Sequence, residues 1–265
     1  EMELPADIEP GLYDLCVTIE YGVRYRECRS HAVEVVESFD LPVKFVHITD
    51  YHVGDPRAER MYPGIDIEKV RLAALDAANA EDPDFILITG DIATYPDGYE
   101  RDYPKAVDEL LTHLAYPTII VPGNHDLYSL TDDEGSYLVE GKKYWTDYFG
   151  VDHRVLDYGP LRFILFNTYG WNRETRNRNK GYQASQGKVH TYMGAVTRDE
   201  MKWLYGALKS AGDKTPILAA HHGPRHFEMV PQQWCPDCLT PGKFVSVIEK
   251  FHIPLYIYGH IHVNE

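Results

Sequence analysis

The sequence predicts an α/β domain over residues 41–265, preceded by a short all-β segment over residues 1–40. Three observations carry this reading. From Val43 onward, short apolar runs alternate with stretches of helical spacing. Before Val43, apolar and polar residues instead alternate singly around a glycine-containing turn. Carboxylate, imidazole and amide residues recur immediately after the apolar runs, where α/β sheets collect their ligands.

In the N-terminal segment, Leu15, Val17 and Ile19 alternate with Asp14, Cys16, Thr18 and Glu20; Tyr21-Gly22 supplies a turn, and "HAVEVV" is β-branched again. Two or three strands cannot bury a face alone, so this segment reads as the remnant of a β-sandwich domain or as an extension packed on the main domain. The stretch "ESFDLP" marks the boundary. In the main domain the expected strands are "VKFVHIT", "FILIT", "PTIIV", "RFILFN", "PILAA" and "PLYIY", whose Val, Ile, Leu and Phe suit burial on both faces. One helix is expected from Ile67, with Val70, Ala74, Leu75 and Ala78 on one side. A second follows the capping box Thr197–Glu200, which stands ahead of Met201, Leu204, Tyr205 and Leu208, and ends at Gly212.

With 265 residues, 44% of them hydrophobic, the chain can bury one sizeable core without disulfides. Its net charge of -15 repels nucleic acid and anionic membranes, so a phosphate-bearing substrate needs local positive charge. No run of about 18 apolar residues offers a membrane span. No signal-peptide pattern opens the chain, but a start at Glu1 without methionine deprives that of weight. Cys16 and Cys28 fall opposite each other in one hairpin register; a disulfide and two free thiols both fit the spacing. "CPDC", with Cys235 and Cys238, reads as a disulfide or two loop thiols, since a four-cysteine zinc site needs a second pair nearby. Paired cysteines and the β segment point toward a secreted or cell-surface protein.

The chemistry collects at strand ends. "VKFVHIT" is followed by Asp50 and His52, "FILIT" by Gly90-Asp91, "PTIIVP" by Gly123-Asn124-His125-Asp126, "PILAA" by His221-His222, and "PLYIY" by Gly259-His260-Ile261-His262. Any one of these alone reads as a cap or turn residue. Five on one rim read as a metal site. Mixed carboxylate, imidazole and amide ligands suit Mn, Fe, Zn or Co. They are too many for one ion, whereas two ions about 3.5–4 Å apart that share a carboxylate would use them all.

The series Asp50-x-His52, Gly90-Asp91, Gly123-Asn124-His125-Asp126, His221 and Gly259-His260-x-His262 resembles the signature of the calcineurin-like metallophosphoesterase superfamily, over roughly residues 43–262. That resemblance implies a β-sandwich flanked by helices, with a first metal on Asp50, His52, Asp91 and His262. The second would sit on Asp91, Asn124, His221 and His260, with Asp91 as the bridge. It also implies a chain shortened at its C-terminal end, an unusually short domain, or a part supplied elsewhere, because family members continue past the last motif.

A bridging hydroxide would then be the nucleophile, and His125 the proton donor to the leaving oxygen, with Asp126 fixing its orientation. His222 could ligate a metal or brace its neighbour. Purple acid phosphatases place Gly where His52 stands and a ligand tyrosine where this chain has Thr94; Tyr95 comes one residue late. The better match is the branch of bacterial-type phosphodiesterases, whose ligands are Asp, Asn and His alone. The expected activity is hydrolysis of a phosphate diester. The alternatives are a monoesterase, such as a nucleotidase or protein phosphatase, and a non-catalytic scaffold that binds a protein partner, against which the complete ligand set counts.

A basic island, Arg173, Arg176, Arg178, Lys180 and Lys188 against Glu174, reads either as a rim loop attracting the phosphate ester or as a solvated loop. His226 and Trp234 read as pocket wall or ordinary loop packing. The sequence sets no oligomeric state.

Overall fold

The computed structural model of the protein describes Pro5 and residues 7–39, 41–178, 192–224 and 241–262. The N-terminal segment is one antiparallel hairpin of β1 (Gly11–Tyr21) and β2 (Val23–Val35), turning at Gly22. Cys16 pairs with Cys28 in register and the two are joined as a disulfide. Val17, Ile19, Tyr21, Val23 and Tyr25 of this hairpin are exposed.

The main domain is built from short strands whose alternation decides its layers. β3 (Phe45–Ile48), β4 (Phe85–Ile88) and β5 (Thr118–Ile120) form a parallel sheet. β6 (Ser129–Thr131) and β7 (Tyr137–Glu140) form a small hairpin beside it in sequence. β8 (Arg154–Tyr158), β9 (Leu161–Leu165), β10 (Thr215–Ala219) and β11 (Tyr256–Ile257) form a second sheet in the order β11-β10-β9-β8, parallel except at β8. Helices α1 (Pro56–Met61), α2 (Ile67–Ala80), α3 (Tyr99–His113), α4 (Gly141–Phe149), α5 (Arg198–Lys209) and α6 (Pro241–Lys250) complete the described elements.

Side chains on successive strand residues point to opposite faces, and here both faces are apolar. Phe85 and Leu87 of β4 meet Phe163 and Leu165 of β9 and Ile217 and Ala219 of β10 between the two sheets. Their neighbours Ile86 and Ile88 face outward onto Leu75 and Ala78 of α2, Ala106 and Leu110 of α3 and Trp145 of α4. On the other side, Ile164 and Leu218 face Met201, Leu204 and Leu208 of α5 and Phe244 of α6. The result is helix, sheet, sheet, helix: the helix-flanked sandwich that the resemblance implied.

Both expected helices form, α2 from Ile67 and α5 from Arg198 to Lys209, short of the expected end at Gly212. Asp66 caps α2 by accepting from the Lys69 N–H, and Thr197 caps α5 by accepting from the Glu200 N–H at 3.2 Å. β8, the β6–β7 hairpin, α1, α3, α4 and α6 were not expected. Among the described residues, no helix is long and apolar enough to cross a membrane.

Candidate metal centre

The carboxyl ends of β3, β4, β5, β10 and β11 converge on one rim. Among the described residues, seven non-glycine residues have left-handed backbone angles, and five of them are Asp50, His52, Asp91, His260 and His262. That conformation costs about 1–3 kcal/mol per residue and persists only where the surroundings enforce it. Here it turns side chains at the strand ends inward.

Four predicted residues form the outer donor set. His262 Nε2 lies 3.0 Å from Asp50 Oδ1 and 3.3 Å from His52 Nε2; His52 Nε2 lies 3.7 Å from both Asp50 Oδ1 and Asp91 Oδ2. Ligands about 2.1 Å from one ion stand roughly 3.0–3.6 Å apart at ordinary coordination angles. Asp50 Oδ1 is buried and makes no hydrogen bond, its contact with His262 lying off the hydrogen-bond direction. The other carboxylate oxygen is satisfied, accepting from the Thr49 hydroxyl at 2.8 Å and the His260 N–H at 2.9 Å. An orphaned oxygen facing two imidazole nitrogens fits a cation between them.

The inner set is tighter, with Asp91, Asn124 and His221 fully buried. His221 Nδ1 donates to Thr89 O at 2.7 Å, which leaves Nε2 bare, 3.1 Å from Asn124 Oδ1 and 3.2 Å from Asp91 Oδ2. Asn124 is oriented by its own Nδ2, which donates to the Tyr128 hydroxyl at 2.7 Å. Three acceptors facing one another require positive charge among them. Burial pushes His221 down, but the Asp91 and Asp50 carboxylates carry it up to about 9, which reflects the same demand for positive charge. The His260 ring stands 5.1 Å from that of His221, and their ligand atoms group with one on His222. Asp91 Oδ1 accepts the His125 N–H at 2.8 Å, so Oδ2 is the one oxygen that faces both sets.

Gly259 allows the approach of the last motif: a Cβ there would collide with the Thr49 hydroxyl and lie 2.8 Å from Asp50 Oδ2. Gly123 does the same for Asp91, whose Oδ1 a Cβ would strike.

His125 lies among these residues, its ring against those of His52, Tyr95 and Tyr128 at 4.9, 5.5 and 5.0 Å. The expectation that Asp126 orients it is corrected. His125 Nδ1 donates to the Thr94 carbonyl at 2.6 Å instead. Asp126 accepts backbone N–H groups of Ile92, Ala93 and Gly123 at 2.8, 3.0 and 2.8 Å, tying the Asp91 and Asn124 loops together. His222 braces: its nitrogens engage Thr168 Oγ1 and Tyr192 O, both at 2.9 Å. Thr94 Oγ1 donates to Val53 O and sits 3.4 Å from His52 Nδ1, leaving His52 Nε2 toward the site.

The basic island divides. Arg176 is buried, donating to Leu127 O at 2.6 Å, Trp171 O at 3.0 Å and Glu140 Oε1 at 2.6 Å. It is a structural clamp, correcting the rim-loop expectation for that residue. Arg173 pairs with Glu140 and lies over Tyr137. Arg178 alone of the three reaches the site, with its guanidinium 4.8 and 5.1 Å from the Tyr95 and Tyr128 rings. Lys180, Lys188, His226, Trp234, Cys235 and Cys238 lie outside the described residues. Sequence reasoning missed Arg57, whose guanidinium is bidentate on Asp55 and 5.6 Å from Tyr95; nothing in its local sequence marks it.

A helix-flanked sandwich with carboxylate, imidazole and amide donors on one rim defines a candidate transition-metal centre in architecture and donor chemistry. Residues 43–264 match the calcineurin-like phosphoesterase family, hydrolases of phosphoric esters that use a dinuclear metal centre, and the chain belongs to that family.

Among curated proteins it is 26% identical over 223 residues to the glycerophosphodiester phosphodiesterase GpdQ of Enterobacter lignolyticus, covering 82% of this chain and 69% of that one. It is 22% identical over 225 residues to a probable cyclic nucleotide phosphodiesterase of Coxiella burnetii, covering 84% and 77%. Two solved structures share the fold. A dimetal phosphatase from Danio rerio superposes with TM-score 0.56 at 16% identity, over 84% of this chain and 82% of that one. A purple acid phosphatase from yellow lupin (Lupinus luteus) seeds does so with TM-score 0.54 at 13% identity, over 91% of this chain but 40% of that one.

Proposed function

We propose that the protein is a dinuclear metal-dependent phosphodiesterase. Asp50, His52, Asp91 and His262 hold one ion; Asp91, Asn124, His221 and His260 hold the other. The observation that carries this reading is Asp91 Oδ2, buried between His52 Nε2 at 3.7 Å and His221 Nε2 at 3.2 Å. The two relatives named as phosphodiesterases support diesters as substrates. Two cations of the Mn, Fe, Zn or Co type would supply Lewis acidity toward phosphoryl oxygens and lower the pKa of water.

The chain supplies the rest. Thr94 holds the His125 Nδ1–H, so Nε2 is the atom that can carry a proton to the leaving oxygen. Burial pushes His125 down to about 4 although the Asp91 carboxylate pulls it up, so imidazolium needs the negative charge of a bound phosphoester to form at neutral pH. The rings of His52, Tyr95 and Tyr128 fix the imidazole plane and exclude water from it. Asp126 maintains the spacing of the Asp91 and Asn124 loops through its three N–H contacts.

The test is hydrolysis of bis(p-nitrophenyl) phosphate and p-nitrophenyl phosphate by Mn-loaded protein. Faster cleavage of the diester is expected. Preference for the monoester would favour a phosphatase, and metal binding with cleavage of neither ester would favour the scaffold.

A further inference from the structure

The proton donor of the proposed reaction has a charged neighbourhood that the reaction itself does not use. Tyr95 and Tyr128 both set ring edges or faces against His125. The Arg178 guanidinium lies over both of those rings, at 4.8 and 5.1 Å. Its position is built. The Arg178 N–H donates to Ser129 O at 2.9 Å and the Ser129 N–H donates to Arg176 O at 3.0 Å, so the loop is stitched to β6 on both sides of Asn177. Asn177 Nδ2 donates to Thr131 Oγ1 at 2.9 Å, and the buried Arg176 clamps the same loop to Leu127 and Trp171.

The two arginines beside Tyr95 differ in what neutralises them. Arg57 is bidentate on Asp55, with contacts of 2.8–3.0 Å, so its charge is matched. Arg178 is exposed, and among the described residues its guanidinium contacts aromatic rings and no carboxylate. In a chain of net charge -15, an unmatched cation held against two tyrosines is a local exception. A guanidinium stacked on rings keeps its N–H edge available for an anion. Half-buried Tyr95 adds apolar surface below it.

We propose that Arg178 and Tyr95 form a subsite for an anionic group, a carboxylate or a phosphate-type oxyanion, on the leaving half of the diester. This rests on the phosphodiesterase reading: His125 delivers the proton to the leaving oxygen, so the residues packed around His125 lie on the leaving-group side. The substrate class narrows accordingly, to diesters whose departing alcohol carries a further negative charge.

Matched methyl aryl phosphates test this, with 4-hydroxybenzoate, 4-hydroxyphenylphosphonate or 4-hydroxybenzamide as leaving group, assayed with the Mn-loaded protein. At low salt at least one of the anionic esters should exceed the amide in kcat/KM by about fivefold, the difference lying in KM, as for one partly exposed ion pair. Preference for the carboxylate over the phosphonate, or the reverse, identifies which anion the subsite takes. Arg178→Met should erase the preference, Arg178→Lys should keep part of it, and about 0.5 M NaCl should erode it in the native protein. Equal kcat/KM for charged and neutral esters, or a preference that survives in Arg178→Met, would overturn the subsite while bis(p-nitrophenyl) phosphate cleavage left the phosphodiesterase reading standing. Failure to cleave any diester would overturn both.

Discussion

Glu200 provides a test of the physical reading at a place away from the metal-ligand rim. It sits in the first turn of α5, where its N–H donates to Thr197 Oγ1. A capping box would return its side chain to the cap, yet Glu200 Oε2 is buried without a hydrogen-bond partner. Burial, followed by the Asp152 carboxylate, pushes the Glu200 carboxyl up from the usual 4.5 to about 7. The folded protein therefore binds this proton more tightly than the unfolded chain. Stability is unaffected below pH 4.5, falls as pH rises from about 4.5 to 7, and carries the full penalty above that.

A shift of roughly 2.5 pH units corresponds to about 3.4 kcal/mol, and partial exposure reduces this to about 2 kcal/mol. Glu200→Gln removes the charge and keeps the shape. At pH 8.5 the variant should melt higher than the native protein by about 4–8 °C, and at pH 5 the two should nearly coincide. Thermal unfolding of both proteins at both pH values, in EDTA to hold metal loading constant, reads this. An advantage that is the same at both pH values, or a native protein that is the more stable at pH 8.5, would rule out a buried charge penalty at Glu200.

Other expectations bear on the rim itself. Gly123→Ala places a Cβ against Asp91 Oδ1 and 2.6 Å from Asp91 N, so metal affinity should drop about tenfold or more in titrations followed by calorimetry. Arg176→Ala leaves Glu140 and two carbonyls without their buried partner and should cost about 3 kcal/mol in urea unfolding; an effect below about 0.5 kcal/mol would return Arg176 to the surface. His125→Ala should keep its metals and lose roughly 10²–10⁴ in kcat toward alkyl diesters, but distinctly less toward nitrophenyl esters, whose leaving group needs no proton. Equal losses on both classes would remove His125 as proton donor.

What the sequence made legible follows from how specific each chemical demand is. Strands buried on both faces must be apolar throughout, so "FILIT" and "PILAA" announce themselves. Donor residues after such strands, with glycines where backbones meet, have few other reasons to recur together. Tertiary contacts carry no such mark. Asp126 sits beside His125 in sequence, but its carboxylate turns to the N–H groups of Ile92 and Ala93, more than thirty positions away in the chain. Thr94 orients His125 through a main-chain carbonyl, which every residue possesses.

Arg176 and Arg178 stand two residues apart in an irregular loop, where no periodicity says which points inward. α3 stayed hidden because its buried face includes Tyr99, Asp102, Tyr103 and Glu109, and Pro104 interrupts it. Its Glu109 is accommodated by Arg71 at 2.9 Å and the Tyr51 hydroxyl at 2.6 Å, partners supplied by other elements. The Glu200 carboxyl shows the converse: the motif was present and half of the expected cap formed.

In the proposed centre two cations share Asp91. Metal content per chain, measured by mass spectrometry after reconstitution with Mn and removal of free ion, tests it most directly. Two ions are expected in the native protein, and depletion of both sites with loss of diesterase activity in Asp91→Ala. A single ion in the native protein, or an Asp91→Ala variant that retains two, would contradict it.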